Sequence, residues 1–129
     1  MWVLPRRAWP KRVSFVVQYC FIESIRQYLM ESAIAMMALF KMQEGAGKDL
    51  VAFFLSPNGL AVTRAYRGCI QFDVLTESGD PDTVRIYEKW ESKEAWDDYT
   101  QFRAQSGAMD FLKSKLADAP VFTAFIVIG

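Results

Sequence analysis

The sequence predicts an α+β domain in the ferredoxin-like, split β-α-β arrangement. Three observations carry this expectation. Residues 68–102, GCIQFDVLTESGDPDTVRIYEKWESKEAWDDYTQF, read as strand, turn, strand and helix. An apolar strand and a helix with an apolar stripe precede that stretch, and another apolar strand follows it. The core order is therefore strand, helix, strand, strand, helix, strand.

Residues 1–12, MWVLPRRAWPKR, hold no regular structure, because Pro5 and Pro10 interrupt them. From Val13 to about Ala33 a helix is plausible, with Val13, Val17, Phe21 and Tyr28 on one stripe. The uncharged run from Val13 to Ile22 is too short to span a bilayer, which takes ~20 apolar residues. Its basic, acid-free start (Arg6, Arg7, Lys11, Arg12) also reads as a targeting leader. Leader, appended arm and packed helix all stay open for residues 1–35, and the domain is placed at residues 36–129.

Ile34 to Gln43 reads as the first core strand, apolar on both faces until Lys41. Glu44 to Gly47 turns the chain, and Lys48 to Leu55 begins a helix directing Leu50, Phe53 and Phe54 inward. Ser56-Pro-Asn-Gly interrupts it, and Leu60 to Tyr66 resumes as helix. Cys69 to Thr76 and Val84 to Glu91 are strands, separated by a loop over Glu77 to Thr83. Ser92 caps the next helix, whose stripe holds Ala95, Trp96, Tyr99 and Phe102. Gly107 breaks it. A further helical piece carries Met109, Leu112 and Leu116, Pro120 stops that piece, and Val121 to Ile128 forms the last strand.

Composition narrows the chemistry. The chain has 129 residues, enough for one buried core, and 52% of them are hydrophobic. Since the first and last strands are apolar on both faces, the helices cover one sheet face and the other needs a partner; a two-fold homodimer is the expected solution. Formal net charge is zero, so no general attraction to nucleic acid is implied. The chain contains no histidine, which removes Ser–His–Asp and Cys–His catalysis and imidazole metal sites. Cys20 and Cys69 are too few for a thiolate metal site, and two free thiols in a reducing compartment, the cytoplasm by default, are expected. With no Gly-rich phosphate loop after any strand, no cofactor and no metal are expected.

The central stretch resembles the antibiotic biosynthesis monooxygenase family of dimeric α/β barrels. The residues that carry the likeness are RAYRGC at 64–69, FDV at 72–74, the Asp80-Pro81-Asp82 turn, YEKW at 87–90 and SKEAW at 92–96. Gly47-Lys48-Asp49 and the apolar strand after Pro120 agree with it, so the likeness covers about 36–129. It implies a pocket between sheet and helices in each subunit of a homodimer. It also implies cofactor-independent oxidation of electron-rich phenols or hydroquinones by molecular oxygen. Many members have a histidine where Tyr99 stands and another a few residues later. Neither is present here, so imidazole-ligated haem and histidine-dependent isomerisation lose their residues.

Side-chain alternation puts Ile86, Glu88 and Trp90 on the sheet face that the following helix covers. A carboxyl there is either an acid–base group with its pKa raised by burial, or the partner of Arg64 or Arg103 in a structural ion pair. Trp90 is a stacking surface for a planar substrate or a core plug, and Tyr99 orients a substrate oxygen rather than acting as a base. The resemblance makes Glu88, Trp90 and Tyr99 the catalytic candidates. Phe53, Phe54, Arg64, Phe72, Trp96 and Phe102 are the substrate-binding candidates. Arg64 and Arg103 otherwise read as surface or ion-pairing residues, and Cys69 as inert and buried.

The expected activity is monooxygenation of a small aromatic or quinol-type compound. The alternatives are an isomerase or lyase acting on a small oxygenated metabolite, and a non-catalytic dimeric module docking on a larger complex or membrane through its N-terminal arm. An open pocket, as against one filled by Phe54, Trp90 and Phe102, separates the enzyme readings from the module.

Overall fold

Strand β1 (Ile34–Lys41) is the apolar ribbon on which the sheet is built, paired on both sides by antiparallel neighbours. The computed structural model describes Ile22 and residues 32–129. The helix expected over residues 13–33 lies, Ile22 and its last two residues apart, outside the described residues. After β1 come α1 (Gly47–Leu55), α2 (Leu60–Ala65), β2 (Cys69–Glu77), β3 (Asp80–Trp90), α3 (Lys93–Ser106), a 3-10 turn at Asp110–Ser114 and β4 (Val121–Ile126). The sheet order is β2-β3-β1-β4, with every pairing antiparallel. This is the ferredoxin-like α+β fold the sequence predicts.

Register decides which residues meet. Met36 stands opposite Glu88, Ala38 opposite Ile86 and Phe40 opposite Val84 across β1 and β3; Phe72 of β2 meets Glu88 from the other side. Residues paired in register share a face, so these side chains form one layer under the helices. Leu50 and Phe54 of α1 are buried against it, each contributing roughly 1.5–3 kcal/mol of apolar burial. On β4 all six residues are exposed, and Phe125 and Val121 share the opposite sheet face with Leu75.

Several boundaries differ from the sequence expectation, each for a local reason. β1 stops at Lys41, and Met42 instead bridges Leu116 beyond the 3-10 turn. The loop expected over Glu77 to Thr83 shrinks to Ser78-Gly79, because Asp80 pairs with Glu77 and Gly79 takes φ 83°. The piece expected as helix around Met109 to Leu116 is a 3-10 turn, and β4 ends at Ile126 rather than Ile128. Ser92 and Gly107 do bound α3: the Ser92 hydroxyl accepts from the Ala95 N–H at 3.1 Å, and Gly107 adopts φ 66°.

The entry to α1 is pinned from a distance. Asp82 at the start of β3 accepts the N–H groups of Gly45 at 3.0 Å and Gly47 at 2.9 Å, and these bonds hold its carboxyl below the ordinary value. The approach is so close that a Cβ on Gly47 would run into the Pro81 carbonyl. Gly47→Ala is therefore expected to lower stability by about 1–3 kcal/mol, the usual overpacking cost, read as a lower urea midpoint with an unchanged slope. An unchanged midpoint would show that the turn gives way without cost.

Candidate active site

Two elements make the site: β3, which presents Glu88 and Trp90 upward from the sheet, and α3, which lies over them. Helical spacing brings Trp96, Tyr99, Thr100 and Arg103 of α3 to the inward side. Glu88 is 5% exposed. Its Oε2 accepts the Trp90 indole N–H at 3.0 Å and its Oε1 the Trp96 indole N–H at 3.1 Å. Burial raises the Glu88 pKa and the two indole hydrogen bonds oppose the rise, leaving it above the ordinary value. No arginine reaches this carboxyl, so the expected ion pair with Arg64 or Arg103 is absent among the described residues.

Tyr99 stacks on Trp90 with ring centroids 4.8 Å apart and 29° between planes. Its hydroxyl lies 2.7 Å from Thr63 Oγ1 and accepts from Arg103 Nε at 3.0 Å. Burial holds its pKa above the ordinary phenol value, against the pull of Thr63 and Arg103. Arg103, expected on the surface, is 7% exposed. Its guanidinium also donates to the carbonyls of Asn58 at 2.8 Å and Gly59 at 3.0 Å and to Thr63 Oγ1 at 2.7 Å. These bonds tie α3 to the turn between α1 and α2.

Beneath α3 lies a cavity of about 250 Å³. Phe40, Phe54, Phe72, Ile86, Met109 and Leu112 give it apolar walls, and Glu88, Thr100, Tyr99 and Arg103 supply its polar groups. Trp96, Phe122 and Ala38 complete the lining; Phe122 is 53% exposed on the edge strand. An engineered apolar cavity of roughly 150 Å³ holds one benzene ring, so this space accommodates a one- or two-ring aromatic.

Of the nine residues named from the sequence, the structure brings Glu88, Tyr99, Phe54, Phe72 and Trp96 together at the cavity. Trp90 is fully buried behind Glu88, its N–H met by that carboxylate rather than by a backbone carbonyl. Phe53 packs edge-on to Phe54 and against Phe111, away from the lining. Arg64 faces outward, 3.5 Å from Asp73, with its Nε on the Phe72 carbonyl. Phe102 is 38% exposed and leans on Tyr66, because the buried stripe of α3 continues to Arg103 instead. Cys69 is free and half-buried, its thiol pKa raised mainly by burial, not fully buried as expected.

Sequence reasoning misses Arg103, Ala38, Phe40, Ile86, Thr100, Met109, Leu112 and Phe122 as lining residues. The spacing 96, 99, 100, 103 was the signal for Arg103 and Thr100. Among the described residues no group of three or more His, Cys, Asp or Glu side chains could hold a metal ion. No helix among them is long and apolar enough to cross a membrane.

An apolar hollow between a four-stranded sheet and its helices, with a few convergent polar groups, defines a small-molecule domain of the ferredoxin-like class. Residues 33–110 match the family model for antibiotic biosynthesis monooxygenases, and the chain belongs to that family. Membership makes it a small-molecule, monooxygenase-like domain. No curated protein matches the sequence. Among solved structures it resembles Rv0793 from Mycobacterium tuberculosis, with 19% identity over 76% of this chain and 97% of that one, at a TM-score of 0.66. It also resembles protein SO0527 from Shewanella oneidensis (22% identity, 75% and 95% covered, TM-score 0.61). A conserved protein from Methanosarcina mazei Go1 is similar too (16% identity, 78% and 97% covered, TM-score 0.65). At these identities the likeness shows the fold.

Thr63 is the buried hinge of the polar cluster. Thr63→Val keeps the shape and deletes the hydroxyl shared by Tyr99 and Arg103. A loss of about 1–3 kcal/mol is expected from the polar groups left short of a partner, measured by urea denaturation. Stability equal to the parent would mean that Arg103 finds replacement acceptors.

Proposed function

We propose that the protein is a cofactor-independent monooxygenase acting on a small electron-rich phenol or hydroquinone. The observation that supports this reading is the buried Glu88 carboxylate on the wall of an open, mostly apolar cavity. Glu88 takes the phenolic proton, and burial, which raises its pKa, makes it a stronger base than an exposed glutamate. The resulting phenolate gives up an electron to oxygen, and the peroxide forms at a ring carbon that bears hydrogen: opposite the oxygen in a phenol with a free para position, beside it in a hydroquinone. Loss of water then leaves a quinone from the phenol and a hydroxyquinone from the hydroquinone. For a 1-naphthol-type ring the balance is one substrate plus O2 giving one quinone plus water.

The protein's part is to remove the proton and exclude solvent. Phe54 and Phe72 keep the cavity dry, and Trp96 holds Glu88 by its N–H while bordering the same space. Tyr99 orients the substrate oxygen. On this reading residues 36–129 carry the reaction, residues 1–35 are an extension, and a second copy covers the exposed strand β4 and the apolar residues Leu75, Val121 and Phe125 of the second sheet face. The open cavity favours an enzyme over a docking module. An isomerase or lyase would use the same Glu88 without consuming oxygen.

Oxygen uptake by the purified full chain with a panel of hydroquinones, 1-naphthol and anthrones checks the proposal. Uptake with quinone formed one-to-one is expected, falling at least about 100-fold in Glu88→Gln, the usual size of a general-base contribution. Because the base is the ionised form, the rate should rise with pH through the elevated Glu88 pKa and then level off. No uptake above buffer, or uptake indifferent to Glu88→Gln, contradicts it; turnover without oxygen would favour the isomerase or lyase.

A further inference from the structure

The proton-transfer scheme leaves Arg103 without a role, and its surroundings are unusual for a buried cation. A guanidinium this buried is ordinarily paired with a carboxylate. Here no carboxylate lies within salt-bridge distance of it among the described residues. Four neutral oxygens solvate it, those of Asn58, Gly59, Thr63 and Tyr99, and the rings of Tyr99, Phe53 and Phe102 lie 5.5, 5.8 and 6.0 Å from its central carbon. Dipoles and ring faces offset part of the desolvation cost but leave a full positive charge beside the cavity.

The neighbouring hydroxyls are set to pass that charge on. Thr63 has one proton and two acceptors in view, Tyr99 Oη at 2.7 Å and the Gly59 carbonyl at 3.5 Å. When the proton goes along the shorter leg, the Tyr99 oxygen accepts from both Thr63 and Arg103, and its own proton is free for a ligand. A phenol that accepts from a guanidinium is a stronger donor than a lone one.

We propose that Arg103, acting with Tyr99, is the anion pole of the cavity, and that the ligand class it selects is an aromatic bearing an ionised oxygen. This rests on the reading of the cavity as the substrate site and supplies its charge logic. With a neutral phenol bound, the cavity holds one negative group, Glu88, and one positive group, Arg103. Moving the phenolic proton to Glu88 transfers the negative charge to the substrate and leaves the sum unchanged. No net charge is buried during the step. The groups that titrate around this space are Glu88 on β3 and Tyr99 on α3, with the Cys69 thiol on β2 behind Glu88; Ala38, Phe40, Phe72, Phe122 and Phe54, from β1, β2, β4 and α1, carry no charge.

4-Nitrophenol tests this, because it is a single ring, too electron-poor for ready oxidation, and its ionisation is visible in its absorbance. Bound to the full-length protein, it should ionise about 1–3 pH units below its free value, the range an adjacent opposite charge produces. Arg103→Gln should move that midpoint to or above the free value, and Arg103→Lys should restore part of the shift. Tyr99→Phe should recover an intermediate value, which keeps the test decisive if Arg103→Gln does not fold. A probe that binds neutral in the wild type, fails to bind, or keeps its shifted midpoint in Arg103→Gln overturns the proposal. Oxygen uptake with the electron-rich hydroquinones, 1-naphthol and anthrones is a separate readout: an ionised bound probe with no uptake from that panel keeps the anion pole and removes the monooxygenase. Uptake with a neutral bound probe does the reverse.

Discussion

A carboxylate gripped by two indole N–H groups is the constraint on which the rest of this structure depends. Taking Glu88 out of water is costly, and the usual remedy, an arginine or lysine alongside, is not used among the described residues. Trp90 from the same strand and Trp96 from α3 each give one N–H to one carboxylate oxygen. The two bonds set the rotamers of both tryptophans and seat α3 on β3. Trp90, so oriented, offers its face to Tyr99, and Tyr99 in turn reaches Thr63 and Arg103. Sheet, helix and the turn between α1 and α2 are thereby joined by two hydrogen-bonded clusters linked through the Trp90–Tyr99 ring stack.

The two clusters separate charge. Glu88 sits on the sheet side and Arg103 near the end of α3, with Tyr99 influenced by both: Arg103 pulls its pKa down and Glu88 pushes it up. Two opposite charges held apart by fixed dipoles beside an apolar-walled cavity form a preorganised field, which acts on developing charge without reorganising. A pair in direct contact would neutralise itself and offer a ligand little. The neutral donors on Glu88 and the neutral acceptors on Arg103 keep each charge available.

Much of this was legible in residue order. Strand alternation alone puts Glu88 and Trp90 on one face, and Ser92 and Gly107 bound α3 because a hydroxyl cap and a left-handed terminus are local properties. The acid was readable; its partners were not. Indole donors two and eight residues away are less obvious than the arginines that charge complementarity suggests. Arg103 reads as a surface or ion-pairing residue because arginines are seldom buried alone, although its spacing from Trp96 and Tyr99 fits the inward stripe better than that of Phe102. Phe122 and Leu112 reach the cavity through strand pairing and a 3-10 turn far along the chain. Likewise, nothing local announces that Asp82 caps the turn into α1, since its partners at 45 and 47 are distant in sequence.

The structure opens a cavity beneath α3, and the chemistry proposed for it turns on the state of one side chain. Site-specific titration of Glu88 by carbon-13 NMR, in the wild type and in Trp96→Phe, measures that state directly. The account predicts a wild-type pKa above the ordinary glutamate value and a further rise when one indole donor is removed. A Glu88 that titrates at or below the ordinary value, or is unmoved by Trp96→Phe, would contradict it.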